Sequence, residues 1–292
     1  MKKYELFTLI SLIIVISIPL LFYFFYTPSP PTNDGNSDPA TEEQDNKNKE
    51  DEEKDKKKDK EKESDKDNKN NDDAKKEDKS DEIHWGVDSA SYTDEEFLGC
   101  VVDNFGKPTV WGRYLGEKEG VSAGIDNAEV KLLHDNDIQL LIIYNHVEDA
   151  RGSDNGASHA EEAIAMAKEL EIPKGVAIFL DIEPNYPVDA AFMEGWYSTL
   201  GDSDYEPGVY GVFDEESELM NAFNSMEKDA QENMIVWTAY PQEEITTKDN
   251  APEYNPQGPE NAKVYGWQYA IDAETCNIDT NLFNGNMLEY LW

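Results

Sequence analysis

Positive charge is what the larger part of this chain is short of: residues 83–292 carry 10 Lys and Arg against 41 Asp and Glu. A surface of that sign repels the phosphates of nucleic acid and of anionic lipid, which excludes both as partners of this region. Histidine is scarce as well. The four present, His84, His134, His146 and His159, show no ligand spacing, so neither a zinc site nor any other metal or cofactor is expected. Cysteine is confined to Cys100 and Cys276, an even count that permits a disulfide if this region is exported. Residues 27–82 lack apolar side chains almost entirely, passing from Pro, Ser and Asn into a mixture of Lys, Asp and Glu. Such a segment cannot bury a core and reads as a disordered tether. Its 56 residues reach at most about 190 Å at roughly 3.3–3.6 Å each.

Charge is missing altogether from residues 6–26, a largely apolar run of 21 preceded by Lys2 and Lys3. That length crosses a hydrocarbon core of about 30 Å, and the basic flank stays in the cytoplasm. The run closes on Phe22-Tyr23-Phe24-Phe25-Tyr26 rather than on the small residues of a cleavage site. The expectation is an uncleaved signal anchor over residues 1–26, a tether over 27–82, and a domain over 83–292 held outside the cell at the membrane.

That domain alternates apolar strands with amphipathic helices, the pattern of a parallel sheet. Strands are predicted at 84–89, 109–115, 140–145, 176–184, 208–213, 234–239, 263–269 and 278–283. Helices follow the first five, opened by Thr93 with Glu96, Asp126 with Glu129, Ser158 with Glu161, Asp189 and Asp214. After the sixth strand, Pro241, Pro252, Pro256 and Pro259 rule out a long helix. Eight strands and five helices predict an α/β, TIM-like (β/α) barrel, truncated on its carboxyl-terminal side. Closing the barrel sets the eighth strand beside the first and brings Cys276 near Cys100.

Val176-Ala-Ile-Phe-Leu-Asp-Ile-Glu-Pro184 is the stretch around which this barrel is arranged. Strand alternation puts Asp181 and Glu183 on one face at the carboxyl end, where ligands of parallel α/β folds bind. The other strand ends contribute Asp88, Arg113, Tyr144, Asn145, Tyr210, Trp237, Tyr240, Trp267, Gln268 and Asp279. Carboxylates with aromatic faces suit a sugar ring, whose hydroxyls bond to acids and whose C–H faces stack on rings. Glycoside cleavage needs one carboxylic acid to protonate the leaving oxygen and a second group to stabilise the cationic ring. Glu183, longer and outermost, suits the first role; Asp181 suits the second, and is placed to hold an N-acetyl group of the substrate.

Gly86-Val-Asp88, Leu180-Asp-Ile-Glu183, Val209-Tyr-Gly211, Trp237-Thr-Ala-Tyr240, Trp267-Gln-Tyr269 and Asp279-Thr-Asn281 resemble the lysozyme-type muramidases of glycoside hydrolase family 25. That resemblance implies a flattened barrel of eight strands and five helices, and a cell-wall glycan as partner. After Asp88 the chain reads Ser-Ala-Ser-Tyr rather than the family's Ser-x-x-Gln-Gly. Arg113-Tyr-Leu-Gly116 and Ile143-Tyr-Asn145 are closer to a related group of uncharacterised glycoside-hydrolase-like domains. Two other functions fit the same acids: a barrel that binds wall glycan without cutting it, and a metal-dependent phosphoesterase.

Overall fold

The computed structural model describes residues 82–292, so the expected membrane span and the tether up to residue 81 lie outside the described residues. Among the described residues no helix is long and apolar enough to cross a membrane. Eight strands close a barrel in chain order: β1 (Ile83–Asp88), β2 (Val110–Tyr114), β3 (Gln139–Tyr144), β4 (Ala177–Ile182), β5 (Glu206–Gly211), β6 (Ile235–Ala239), β7 (Lys263–Ala270) and β8 (Asp279–Asn284). β1 to β7 run parallel, whereas β8 is antiparallel to both β7 and β1. The reversal follows from the short link after β7, which leaves no room for the crossover that a parallel return needs.

Among the described residues six α-helices pack outside the barrel: α1 (Glu95–Phe105), α2 (Asn127–Asp135), α3 (Ser153–Glu169), α4 (Ala190–Gly201), α5 (Glu218–Asn224) and α6 (Lys228–Asn233). Five were expected, and the difference lies after β5. The helix opened there stops at Asn224, and Gln231 donates to the freed carbonyls of Asn224 (3.3 Å) and Met226 (2.7 Å) before the chain continues as α6. Helix starts also differ from the capping pattern. Asp94, not Thr93, caps α1, its side chain accepting from the Phe97 amide. α3 begins at Ser153, five residues before Ser158. Asp189 does cap α4 through the Phe192 amide (2.8 Å), and the same carboxylate accepts from the Gly152 amide (3.0 Å) at the head of α3.

The apolar residues form two layers. Leu141, Ile143, Phe179, Trp237 and Phe283 fill the barrel, while Leu140, Ile142, Leu180, Phe192 and Trp196 pack between barrel and helices. A strand covered on both faces has no polar side, which is why β4 is buried along its whole length. Truncating a ring such as Phe179 costs about 3–5 kcal/mol at a site of this kind. α3 and α4 cross with backbones almost touching: a Cβ on Gly156 would lie 2.0 Å from the Phe192 carbonyl oxygen, and one on Gly195 would lie 2.2 Å from that of Ser153. Only glycine fits at either position. A disulfide joins Cys100 in α1 to Cys276 ahead of β8, spanning the seam where β8 closes on β1.

Candidate functional site

The carboxyl ends of β1 to β7 make the mouth of the barrel. Because β8 is antiparallel, its first residue, Asp279, pairs with the last residue of β1, Asp88, and so stands at the same rim. The inward positions alternate along each strand: Asp88 on β1, Tyr114 on β2, Asp181 on β4, Tyr210 on β5, Gln268 on β7, and Asp279 with Asn281 on β8. Glu183 continues the inward face of β4 one step past its end and is exposed at the rim.

Under the mouth runs a connected polar network. Tyr210 donates its hydroxyl to Gln268 Oε1 (2.7 Å), and Gln268 Nε2 donates to Asp88 Oδ2 (3.0 Å) and Asp279 Oδ2 (3.2 Å). Asn281 Nδ2 donates to the same Asp88 oxygen (2.7 Å), while Asn281 Oδ1 accepts from Trp237 Nε1 (2.9 Å). Each amide therefore has one orientation, fixed by its neighbours. Trp237 is 1% exposed and packs against Tyr210 with ring centroids 4.2 Å apart and planes tilted by 45°, so it forms the floor beneath this network.

Four carboxyl groups share this small volume, and its electrostatics follow. Burial raises Asp88 to about 6, against hydrogen bonds from Asn281 and Gln268 and the charge of Arg113. Asp279 is raised to about 8 by burial and then by the charge of Asp88. Asp181, 4% exposed, is pushed well above the carboxylate range by burial, then by Glu183 and Asp88. Glu183 is raised too, by desolvation against the cleft wall, with Lys118 acting against the shift. Burial thus favours the protonated form of Asp181, the residue expected from the sequence to orient the substrate or stabilise its charge. Burial raises Tyr114 and Tyr210 as well, which keeps both phenols protonated as donors. Asp181 Oδ1 and Asn145 Oδ1 are buried acceptors with no donor among the described residues.

The structure brings Asp88, Asn145, Asp181, Glu183, Tyr210, Gln268 and Asp279 to this mouth, with Trp237 one layer below. Four of the expected contacts point elsewhere. Arg113 is fully buried outside the barrel wall, its guanidinium bonded to Glu129 (2.5 and 3.3 Å) and to the carbonyls of Ser89 (2.5 Å) and Ala123 (3.1 Å). Glu129, read as half of a capping box, is that ion's buried partner and also accepts from the Thr93 amide. Tyr144 faces the helix layer, bonded to His159 (2.8 Å) and Glu162 (3.0 Å) and packed on Trp196. Trp267 also faces outward, donating to the Tyr240 carbonyl (3.0 Å). Tyr240 itself packs its ring, half-buried, on that outer layer. The cause is alternation: Tyr144 and Asn145, like Trp267 and Gln268, are neighbours and must take opposite faces.

Tyr114, Asn281 and Lys118 belong to the mouth but were not among the expected residues. Alternation through Val110 and Gly112 points to Tyr114, and the Asp279-Thr-Asn281 spacing points to Asn281. Lys118 sits in the β2–α2 loop, where no periodicity exists to place it. Beside Glu183 a cavity of about 220 Å³ opens, walled by Ile182, Tyr186, Val188, Val212 and Leu219. Among the described residues no group of three or more His, Cys, Asp or Glu side chains is arranged to hold a metal ion.

A family model described as "Rv2525c-like, glycoside hydrolase-like domain" matches residues 107–283. An uncharacterized B. stearothermophilus protein of known crystal structure is 35% identical over 72% of this chain and 100% of that one, with a TM-score of 0.70. The Mycobacterium tuberculosis Tat-secreted protein Rv2525c, solved with L-tartrate, is 14% identical over 68% of this chain and 93% of that one, at a TM-score of 0.46. The modular autolysin LytC from Streptococcus pneumoniae is 17% identical over 69% of this chain and 46% of that one, at 0.48. No curated protein matches the chain.

Proposed function

The chain belongs to the Rv2525c-like, glycoside hydrolase-like domain family, and from that premise we propose that it is a hydrolase of an N-acetylated cell-wall glycan, worked by Asp181 and Glu183. The observation that carries this reading is the pair itself. Two carboxyl groups stand one strand step apart at the barrel mouth, both with raised pKa, in a setting lined by phenol and amide donors.

Glu183 is the general acid. It is the outermost and solvent-reached member of the pair, and a raised pKa keeps it protonated into the pH range where the leaving oxygen needs a proton. Asp181 orients. Its unpartnered Oδ1 accepts the N–H of an acetamido group, which needs no ionisation of the carboxyl. The sugar's own acyl oxygen is then held against its anomeric carbon and supplies the electrons that a separate nucleophile would otherwise give. Tyr114 donates to a sugar hydroxyl, Tyr210, whose own proton is held by Gln268, accepts from one, and the Gln268–Asp88–Asn281 network keeps the wall rigid.

One observation favours a second reading, a barrel that binds wall glycan without cutting it: an Asp181 that stays neutral stabilises a developing cation poorly. Incubating the full-length protein with purified peptidoglycan and weighing the released muropeptides decides between them. Hydrolysis yields new reducing ends, and binding alone depletes protein from solution and releases nothing. The tethered, extracytoplasmic location remains part of the proposal. It rests on residues 1–82, and protease added to intact cells should release a soluble fragment cut within 27–82.

A further inference from the structure

Among the described residues, Lys118 is a cation that the fold holds in place beside the acidic mouth. Lys118 lies in a tight hairpin that exchanges two backbone hydrogen bonds with Ser122 (both 3.0 Å) and turns through Gly120 at φ 74°. Its side chain is 19% exposed. Nζ donates to the Asn145 carbonyl (3.0 Å), to the Val147 carbonyl (3.5 Å) and to the Tyr186 hydroxyl (3.5 Å), and it sits 5.6 Å from the centroid of the Tyr186 ring. These partners belong to the β3–α3 and β4–α4 loops, and the second of these carries Glu183. One ammonium thus ties three rim loops together.

The partners explain why the charge stays where it is. Two are neutral carbonyls, and the nearest carboxylate, Glu148 Oε1, is 3.8 Å away and mostly exposed, where an ion pair is worth little. Lys118 is therefore not spent on a close salt bridge, and its field acts on the mouth. The groups facing Asp181 and Glu183 are Asp88 from β1, Tyr114 from β2, Tyr210 from β5 and Asp279 from β8, all acids or neutral donors. His146, in the β3–α3 loop, is turned away and bonded to Glu162.

We propose that Lys118 is a positioning residue: it clasps the β2–α2, β3–α3 and β4–α4 loops at the rim that carries Glu183 and, as a cation held there, favours the carboxylate form of the acid pair against its burial. The direction follows from Coulomb's law. A positive neighbour favours the carboxylate, and its field opposes the upward shift of both Glu183 and Asp181. Without it the pair keeps its protons to higher pH. In kinetics the alkaline limb moves up, and the loosened loops raise KM more than they lower kcat. The kinetic part rests on the proposed function, but the titration does not.

The experiment compares the full-length protein with Lys118→Met and Lys118→Arg. Carboxyl protonation is followed by infrared difference spectra over pH, and the Glu183 band is identified by its loss in Glu183→Gln. The expected result is a Glu183 midpoint moved to higher pH in Lys118→Met and returned toward wild type in Lys118→Arg, with matching thermal midpoints showing that both variants fold. A midpoint unmoved in Lys118→Met, or moved equally in Lys118→Arg, overturns the proposal. If the midpoint moves and no glycan is cut at any pH, Lys118 acts as described and the hydrolase assignment is what fails.

Discussion

Asp88 and Asp279 face each other across the β1–β8 seam and share one amide, Gln268 Nε2, at 3.0 and 3.2 Å. Two carboxyl groups in one enclosed space ionise in turn rather than together. The first loses its proton at about 6 and the second at about 8. The shared amide bonds either charge state, so the network survives the titration.

That relationship sets a pH dependence of stability. Both groups have folded-state values above their ordinary 3.8, so their stabilising contribution is complete below about pH 4 and is lost as pH rises through 6 and then 8. Asp279→Asn removes the group that ionises last. The difference in thermal midpoint, variant minus wild type, should therefore grow from pH 5 to pH 9 by several degrees, since a domain of this size shifts about 2–4 °C per kcal/mol. A difference that stays constant over that range would show that Asp279 does not titrate there.

Arg113 and Glu129 are a buried ion pair with no exposed surface on either side chain. Removing one partner leaves a charge stranded in the wall, at a typical cost of about 3–5 kcal/mol. Glu129→Gln should lower the thermal midpoint by about 10 °C, at roughly 2–4 °C per kcal/mol for a domain of this size. A variant as stable as wild type would mean that the Ser89 and Ala123 carbonyls alone satisfy the guanidinium.

The Cys100–Cys276 bond closes a loop of sequence separation 176. In the chain-entropy account a loop of that length is worth on the order of 5 kcal/mol. Reduction, or the double change to serine, should lower the midpoint by 10 °C or more in calorimetry. A loss of only a degree or two would place the constraint on the native seam rather than on the unfolded chain.

Surface charge gives a fourth test. With 41 acidic residues against 10 basic ones over 83–292, self-repulsion favours the expanded chain, and the screening length falls from about 10 Å at 0.1 M salt to about 3 Å at 1 M. Thermal midpoints should rise steadily with NaCl. A flat or falling series would show that the acidic excess is balanced locally.

How much of this was legible depended on periodicity. The eight strands and the seam that joins Cys100 to Cys276 could be read because apolar runs and turn signals survive as sequence pattern. So could the Asp181–Glu183 face, because alternation is a local rule. The same rule, applied to Tyr144–Asn145 and Trp267–Gln268, would have sent Tyr144 and Trp267 outward, but composition drew both into an aromatic cleft. Arg113 was misplaced for a different reason. A buried guanidinium is recognisable only through its partner, and Glu129 stood in a sequence context that also fits a helix cap. Lys118 left no signal at all, since a loop has no period and its role comes from three loops meeting in space.

The central claim is that Glu183 gives its proton to a glycan's leaving oxygen. The most direct measurement is the initial rate of muropeptide release from purified peptidoglycan by full-length wild type and Glu183→Gln, with wall binding measured alongside. Wild type should yield new reducing ends, and Glu183→Gln should release them about 10²–10⁴-fold more slowly while binding the wall undiminished. Equal rates, or binding to the wall with no release even by wild type, would contradict it.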